Sequence, residues 1–321
     1  MKEIDVVLSS FSFLTLREKV LLRDNLDSLD TLAVLSIKDL SVLTGRDVKA
    51  YGFNPLRSIK LAEKALVLME AKDIKYVRYD DEKFPPLLRE IRDPPYILFY
   101  RGNPAVLEKT CVSLVGTRSV CREAAKASFS FASEATRDGL CVVSGLAYGV
   151  DSFAHKGSLS SGETACSCAV LPCGLDTVVP YGNRSLAAEI LKKEGLLITE
   201  YMPGTPAESF RFVQRNRIIA ALSEATVVMQ APCSSGALIT ADFAVDFNRD
   251  LLFHKACFCD EAQRIGEVLL KRETSPEKRS RVPERYVSEG AAIIADYDEF
   301  LVTLKNMRNG IFVKNKQLEL F

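Results

Sequence analysis

The sequence predicts an α/β protein, a parallel sheet wrapped by helices and preceded by a small all-helical part. Three observations carry this. Residues 110–151 run through an apolar stretch (Cys111 to Val115), a glycine turn (Gly116-Thr117-Arg118) and a helix-length segment to Asp138. A stop at Gly139 and a second apolar stretch, Leu140 to Val143, complete the pattern of a βαβ unit. The same alternation then repeats as far as His254. Before residue 73, by contrast, only helix signals occur.

The helical part occupies residues 1–72. Thr15-Leu16-Arg17-Glu18 has capping-box spacing and opens a helix with Leu16, Val20 and Leu21 on one face. Ser36-Ile37-Lys38-Asp39 begins a shorter helix that stops at Gly45. Pro55 stands near the start of a longer one, with Ile59, Ala62, Leu66 and Met69 at its apolar positions. Residues 73–110 form a connector. Ile74 to Tyr79 alternates like a strand, Pro85-Pro86 and Pro94-Pro95 forbid a continuous helix, and Tyr96 to Tyr100 is a further apolar run closed by Gly102. This stretch reads as an edge extension of the sheet.

After the first βαβ unit, helices are expected from about Asp151 to Ser161, Ser185 to Gly195, Glu208 to Leu222 and from about Leu238. Strands are expected at Thr164 to Leu171, Leu196 to Thr199, Ala225 to Gln230 and Asp250 to His254. Such regular alternation requires right-handed crossovers and a parallel sheet. The prediction is a Rossmann-like domain over residues 73–300, with 301–321 as a C-terminal tail.

Composition narrows the function. The 42 basic and 42 acidic residues cancel, so any site for a polyanion must be local. The N-terminus lacks a signal-peptide pattern and no apolar run approaches membrane-spanning length, so a soluble cytoplasmic protein is expected. Cys111, Cys141, Cys166 and Cys168 lie within apolar strands and read as small core residues of a reducing compartment. His254, Cys257 and Cys259 lack a second pair at zinc-site spacing, so neither metal nor cofactor is expected. Gly116, Ser144, Gly145, Ser235 and Gly236 fall at strand ends. Open parallel sheets bind anions there, through loop N–H groups and helix N-termini. The alternative is that these glycines serve only the tight turns.

Five strings in order carry a family resemblance. They are Val115-Gly116-Thr117-Arg118; Val142 to Ala147 followed by Gly149, Asp151 and Ala154-His155; Gly174-Leu175-Asp176 with Pro180 and Asn183; Arg215-Asn216-Arg217-Ile218-Ile219-Ala220; and Ser235 to Ala241. Over about residues 84–250 the chain resembles the bacterial DNA-processing protein A family (DprA/Smf). The resemblance implies a protein that binds single-stranded DNA, loads the RecA recombinase, takes part in natural transformation, forms a homodimer and has no catalytic reaction. The chain departs from the family pattern at Ser119-Val120-Cys121-Arg122, at Gln230, at His254-Lys255-Ala256 and over residues 258–286, which puts the dimer and RecA surfaces in doubt.

The residue chemistry agrees with single-strand binding, which needs local positive charge and rings on which bases stack. Thr117 and Arg118 lie in the first loop. Arg211 and Arg215 are four apart on one helix face, with Asn216 and Arg217 beside them. Their alternative use is salt bridging, Arg217 with Glu224 for example. Tyr148, Phe153, Tyr181 and Phe210 are candidate stacking rings, with core packing as the alternative. His155 reads as a loop-ordering residue and Asp151 and Asp176 as loop caps. Two other function classes compete. A phosphoribohydrolase-like enzyme needs a Pro-Gly-Gly loop and a catalytic glutamate, and Ser235 to Thr240 supplies neither. A protein adaptor without DNA binding is the other.

Asp260 to Leu270 is a helix candidate. Lys271 to Arg285, rich in charge and containing Pro276 and Pro283, is expected to be a mobile loop that helps hold DNA, or else plain solvated surface. The tail ends in Gln317-Leu318-Glu319-Leu320-Phe321. Gln317, Leu318, Leu320 and Phe321 resemble the peptide by which bacterial replication proteins dock on the DNA sliding clamp; the alternative is a tail folded back on the protein.

Overall fold

The computed structural model describes residues 2–162, 164 and 166–309. The N-terminal helices are α1 (Lys2–Ser9), α2 (Leu16–Asn25), α3 (Leu29–Ala33), α4 (Ile37–Thr44) and α5 (Pro55–Ala71). Their starts are chemically marked, as expected. Thr15 Oγ1 accepts from the Glu18 N–H, and Glu18 Oε2 accepts from the Thr15 N–H at 2.7 Å. Ser36 and Asp39 form the same reciprocal pair, and Asn54 caps α5 ahead of Pro55. Helix α1 was not expected. Ile4, Val6, Val7 and Leu8 are all buried, so its apolar residues form a run rather than a stripe. Of its two acids, Glu3 is exposed and Asp5 is buried. Asp5 accepts from the Tyr96 hydroxyl at 2.7 Å and faces Arg78 at 3.4 Å. Ile4, Val7 and Phe11 share a core with Ile97, Phe99 and Leu171, so the helical part packs directly on the sheet.

The strands are β1 (Lys75–Arg78), β2 (Ile97–Gly102), β3 (Cys111–Gly116), β4 (Cys141–Ser144), β5 (Ser167–Val170), β6 (Leu196–Thr199), β7 (Ala225–Gln230), β8 (Asp250–His254) and β9 (Ala292–Ile294). They form one sheet in the order β1-β2-β6-β5-β4-β3-β7-β8-β9. The seven strands from β6 to β9 in that order are parallel, while β1 and β2 add an antiparallel edge. The central strands are buried throughout, as a sheet covered on both faces requires. Strand β9 escaped the sequence because three residues give no length signal.

A short helix, α6 (Pro86–Arg89), joins the antiparallel pair β1 and β2, and the crossover helices are α7 (Arg122–Arg137), α8 (Val150–Ser160), α9 (Arg184–Lys192), α10 (Ser209–Ala221) and α11 (Gly236–Asp246). The chain proceeds from β3 through β4 and β5 to β6 on one side, then returns to place β7 against the other edge of β3. This reversal makes the β3/β7 junction the topological switch point, where outgoing loops diverge and leave a crevice.

Four helices follow: α12 (Asp260–Arg272), α13 (Pro276–Ser280), α14 (Pro283–Ser288) and α15 (Tyr297–Arg308). The expected mobile loop over Lys271 to Arg285 is corrected: Pro276 and Pro283 each start a helical turn instead of breaking one. The segment is held down because Arg281 pairs with Asp242 at 3.1 Å and the Arg281 carbonyl accepts from the Ser234 N–H. Helix α15 runs through position 300, the expected end of the sheet domain, because Phe300 packs on Phe131 at 5.0 Å. All nine cysteines are free, and eight are buried. Among the described residues, no helix is long and apolar enough to cross a membrane.

The only two histidines, His155 and His254, are both buried. Burial holds His155 down at about 3 and His254 at about 4. The unfolded chain takes up these protons near pH 6.5 and the native protein does not, so stability must fall as pH drops below 6.5. Each histidine is expected to cost roughly 1 kcal/mol between pH 6 and pH 5. Urea unfolding across that window checks this, and His155→Gln should show a visibly shallower pH slope than wild type.

Candidate nucleic-acid interface

A cleft of about 560 Å³ opens at the β3/β7 switch point. Gly116, Thr117 and Arg118 form one wall, and Ser235 and Gly236, at the start of α11, form another. Arg215 and Asn216 of α10 line its side. The sheet thus gathers seven of the eleven expected DNA-site residues, drawn from stretches up to 120 positions apart, at one strand-end crevice.

Each wall has a local cause. A side chain at Gly116 would collide with Val150 and the Gln230 carbonyl, so glycine here serves helix packing as well as the turn. Gln230 closes β7. Its Oε1 accepts from the Cys121 N–H at 2.8 Å and fixes the turn that carries Arg118. Ser235 caps α11 by accepting from the Ala237 N–H. A side chain at Gly236 would meet open space, while the Ala237 and Leu238 N–H groups are taken by the Ser235 side chain and carbonyl.

The charges in the cleft differ in kind. Arg118 is exposed, makes no ion pair among the described residues, and lies 5.2 Å over the Phe212 ring. Arg215 is buried. Its Nη1 donates to the Val170 carbonyl and its guanidinium fills the space beside Gly145, which no larger residue could share. Burial pulls Arg215 down to about 10, opposed by the neighbouring Asp151 charge, so it remains cationic at neutral pH. Burial conversely raises Asp151, against the attraction of Arg215. Asp151 Oδ2 accepts from the N–H groups of Gly145 and Ala147 at 3.1 and 3.2 Å, the loop cap the sequence indicated. Asp176 likewise accepts from the Gly204 N–H at 2.7 Å.

Four expected site residues stand elsewhere. Ser144 is buried and its hydroxyl donates to the Leu114 carbonyl at 2.7 Å. The Gly145 N–H is spent on Asp151. Arg211 pairs with Glu208 at 3.4 Å, donates to the Pro206 carbonyl and lies beside the rings of Phe210 and Tyr201. Arg217 is buried and pairs with Glu200 at 2.7 Å and Asp93 at 3.4 Å. Its salt-bridging alternative therefore describes its geometry, with Glu200 in place of Glu224. Two steps along a helix turn a side chain through about 200°, which carries Arg217 away from the face of Arg215.

Of the candidate stacking rings, Tyr148, Tyr181 and Phe210 are exposed and Phe153 is half-buried, but none of the four lines the cleft, where Phe212 stands instead. Arg184 stacks on Tyr181 at 4.2 Å. His155 bonds Ser167 on β5 through Nδ1 at 2.8 Å, within the core rather than in a loop. Sequence reasoning missed Phe212 and Gln230 as site residues. Phe212 precedes Arg215 and Asn216 by three and four positions, so helical spacing alone was enough to find it. His254 Nδ1 accepts from the Ala256 N–H, Cys257 Sγ accepts from the Ala231 N–H, and no three metal-ligating residues converge among the described residues.

Two outcomes follow. Gly145→Ala must displace the Arg215 guanidinium and is expected to cost about 2 kcal/mol or more in urea unfolding. Arg217→Ala strands the buried Glu200 and is expected to cost about 3 kcal/mol. Arg118→Ala, by comparison, should leave stability within about 0.5 kcal/mol of wild type.

The chain is 29% identical over 260 residues to protein Smf of Borreliella burgdorferi, covering 79% of each chain. The X-ray structure of DNA processing protein A from Streptococcus pneumoniae superposes with a TM-score of 0.70 at 26% identity, covering 94% of this chain and 98% of that one. The Helicobacter pylori DNA processing protein A, whose structure was described for its single-stranded DNA binding mode, superposes at 0.57 with 23% identity, over 72% of this chain and 96% of that one. The profile of the DNA recombination-mediator protein A family matches residues 75–305, which spans the sheet and every wall of the cleft, and the chain belongs to that family.

Proposed function

We propose that the β3/β7 cleft grips the backbone of single-stranded DNA without cleaving it. One observation carries this reading. Arg118, with no ion pair among the described residues and set over Phe212, lines one crevice together with Ser235 and Gly236 at the start of α11. Phosphate binds to fixed cations and helix N-termini, while bases stack on rings without regard to sequence. A duplex keeps its bases paired and gives the rings nothing to hold. The Helicobacter protein of this fold is described as binding single-stranded DNA, which supports the same use here. The one carboxylate in the cleft, Asp151, is occupied by two backbone N–H groups and Arg215, so it is poorly placed to act as the base of a nucleotide-cleaving enzyme.

The family resemblance further supports RecA as the partner to which the strand is handed, and a homodimer as the working form. Gln317, Leu318, Leu320 and Phe321 lie outside the described residues. Their pattern supports docking on the sliding clamp, for which a peptide of residues 312–321 should show micromolar affinity, about −8 kcal/mol. Calorimetry with that peptide and its Leu320→Ala, Phe321→Ala form checks this.

Fluorescence anisotropy over a range of salt tests the cleft. Arg118→Ala is expected to lower the magnitude of the log-affinity against log-salt slope by about 0.7, the share of one phosphate contact on a single strand. A folded variant with an unchanged slope removes Arg118 from the interface, and equal affinity for duplex and single strand removes the proposal.

A further inference from the structure

A second groove, of about 630 Å³, runs along the first turns of α7. It begins where the Arg118 turn ends, at Val120 and Cys121, and is lined onward by Arg122, Lys126, Phe129 and Phe153. Arg122 and Lys126 are one helical turn apart, and Phe129 lies three positions further, so all three share one face of α7. Lys156 of α8 adds a third cation, 5.5 Å over the Phe153 ring.

Two features separate this groove from ordinary surface. No carboxylate lines it: Glu123 lines a separate depression with Cys259, Asp260, Glu261 and Arg264. The cations are also unspent. Arg122, Lys126 and Lys156 are exposed and make no ion pair among the described residues, as is also true of Lys60 and Lys64 on α5, but here the cations stand beside Phe129 and Phe153. Phe129 is 37% exposed between these cations, which leaves a large ring in water with charge on either side.

We infer that this groove is an extension of the strand-binding surface, taking the nucleotides that leave the β3/β7 cleft past Arg118. The occupant is a single-stranded polynucleotide because the lining combines cations with rings and holds no acid, which suits phosphates and unpaired bases together. From Arg122 to Ser130 the helix rises about 12 Å, room for roughly three stacked nucleotides at 3.4 Å each. The inference rests on the proposed function of the cleft.

Strand length separates the two. Wild-type protein is titrated by anisotropy with an oligothymidylate of about 6 nucleotides, matched to the cleft, and one of about 20, which overruns it. Arg122→Ala with Lys126→Ala is expected to lower the salt-slope magnitude by about 1.4 for the long strand and leave the short one unchanged. Phe129→Ala should weaken only the long strand, about tenfold. Lys60→Ala with Lys64→Ala, on the exposed side of α5, removes equal charge and should alter neither. Melting curves matching wild type establish that the variants are folded, and glutamine replaces alanine where they are not. Wild type that binds neither strand overturns the cleft itself. Wild type that binds both, with groove variants indifferent to the long strand, overturns the groove alone. A Lys60/Lys64 effect equal to that of Arg122/Lys126 also overturns it, since the cause is then net charge. So does a groove variant that keeps all DNA affinity and loses a protein partner.

Discussion

The fold at the strand ends depends on one buried cation. Arg215 lies beneath the loop that follows β4, with its guanidinium against Gly145, its Nη1 on the Val170 carbonyl and its charge answered by Asp151. Asp151 in turn collects the N–H groups of Gly145 and Ala147. Helix α10, the β4 loop, the end of β5 and the start of α8 are therefore tied through a single side chain. A buried charge is costly, and this one is offset by the hydrogen bond to Val170 and the nearby Asp151 charge, while its Nε has no hydrogen-bond partner among the described residues. In the proposed binding mode its role is indirect: it sets the walls on which Arg118 and the N-terminus of α11 stand.

This arrangement separates two uses of arginine that look the same in a sequence. Arg215 and Arg217 belong to one string, yet one orders the cleft and the other holds Glu200 and Asp93 at the rear of the same helix. Arg118, on a turn rather than a helix, is left free. Positive charge that must meet a mobile polyanion is best kept exposed and unpaired, because a cation already paired with a carboxylate has that attraction to lose first. The Arg118 turn leads into Arg122 and Lys126 with the same character.

Much of the fold was legible because central strands of a parallel sheet are continuous apolar runs and the helices between them carry caps and glycine stops. Thr15 and Ser36 declared their helices through side-chain chemistry that acts within three residues, and Pro55 marked the start of α5. Helix α1 was illegible because Ile4 to Leu8 meets the sheet on one side and helices on the other, which erases periodicity. The segment from Lys271 misled because proline reads as a breaker, although it is equally a helix starter at Pro276 and Pro283. Of the site, the glycine turns and Arg118 were visible as motifs. The burial of Ser144 and the direction of Arg217 depend on tertiary neighbours more than 15 positions away, which local pattern does not encode.

Amide hydrogen exchange in the presence of a saturating oligothymidylate tests the central claim most directly, since it locates the strand without altering a residue. The account expects slowed exchange at residues 116–119 and 233–237, where the β3 turn meets the start of α11. Protection absent there and confined to another surface, such as residues 271–285, would contradict it.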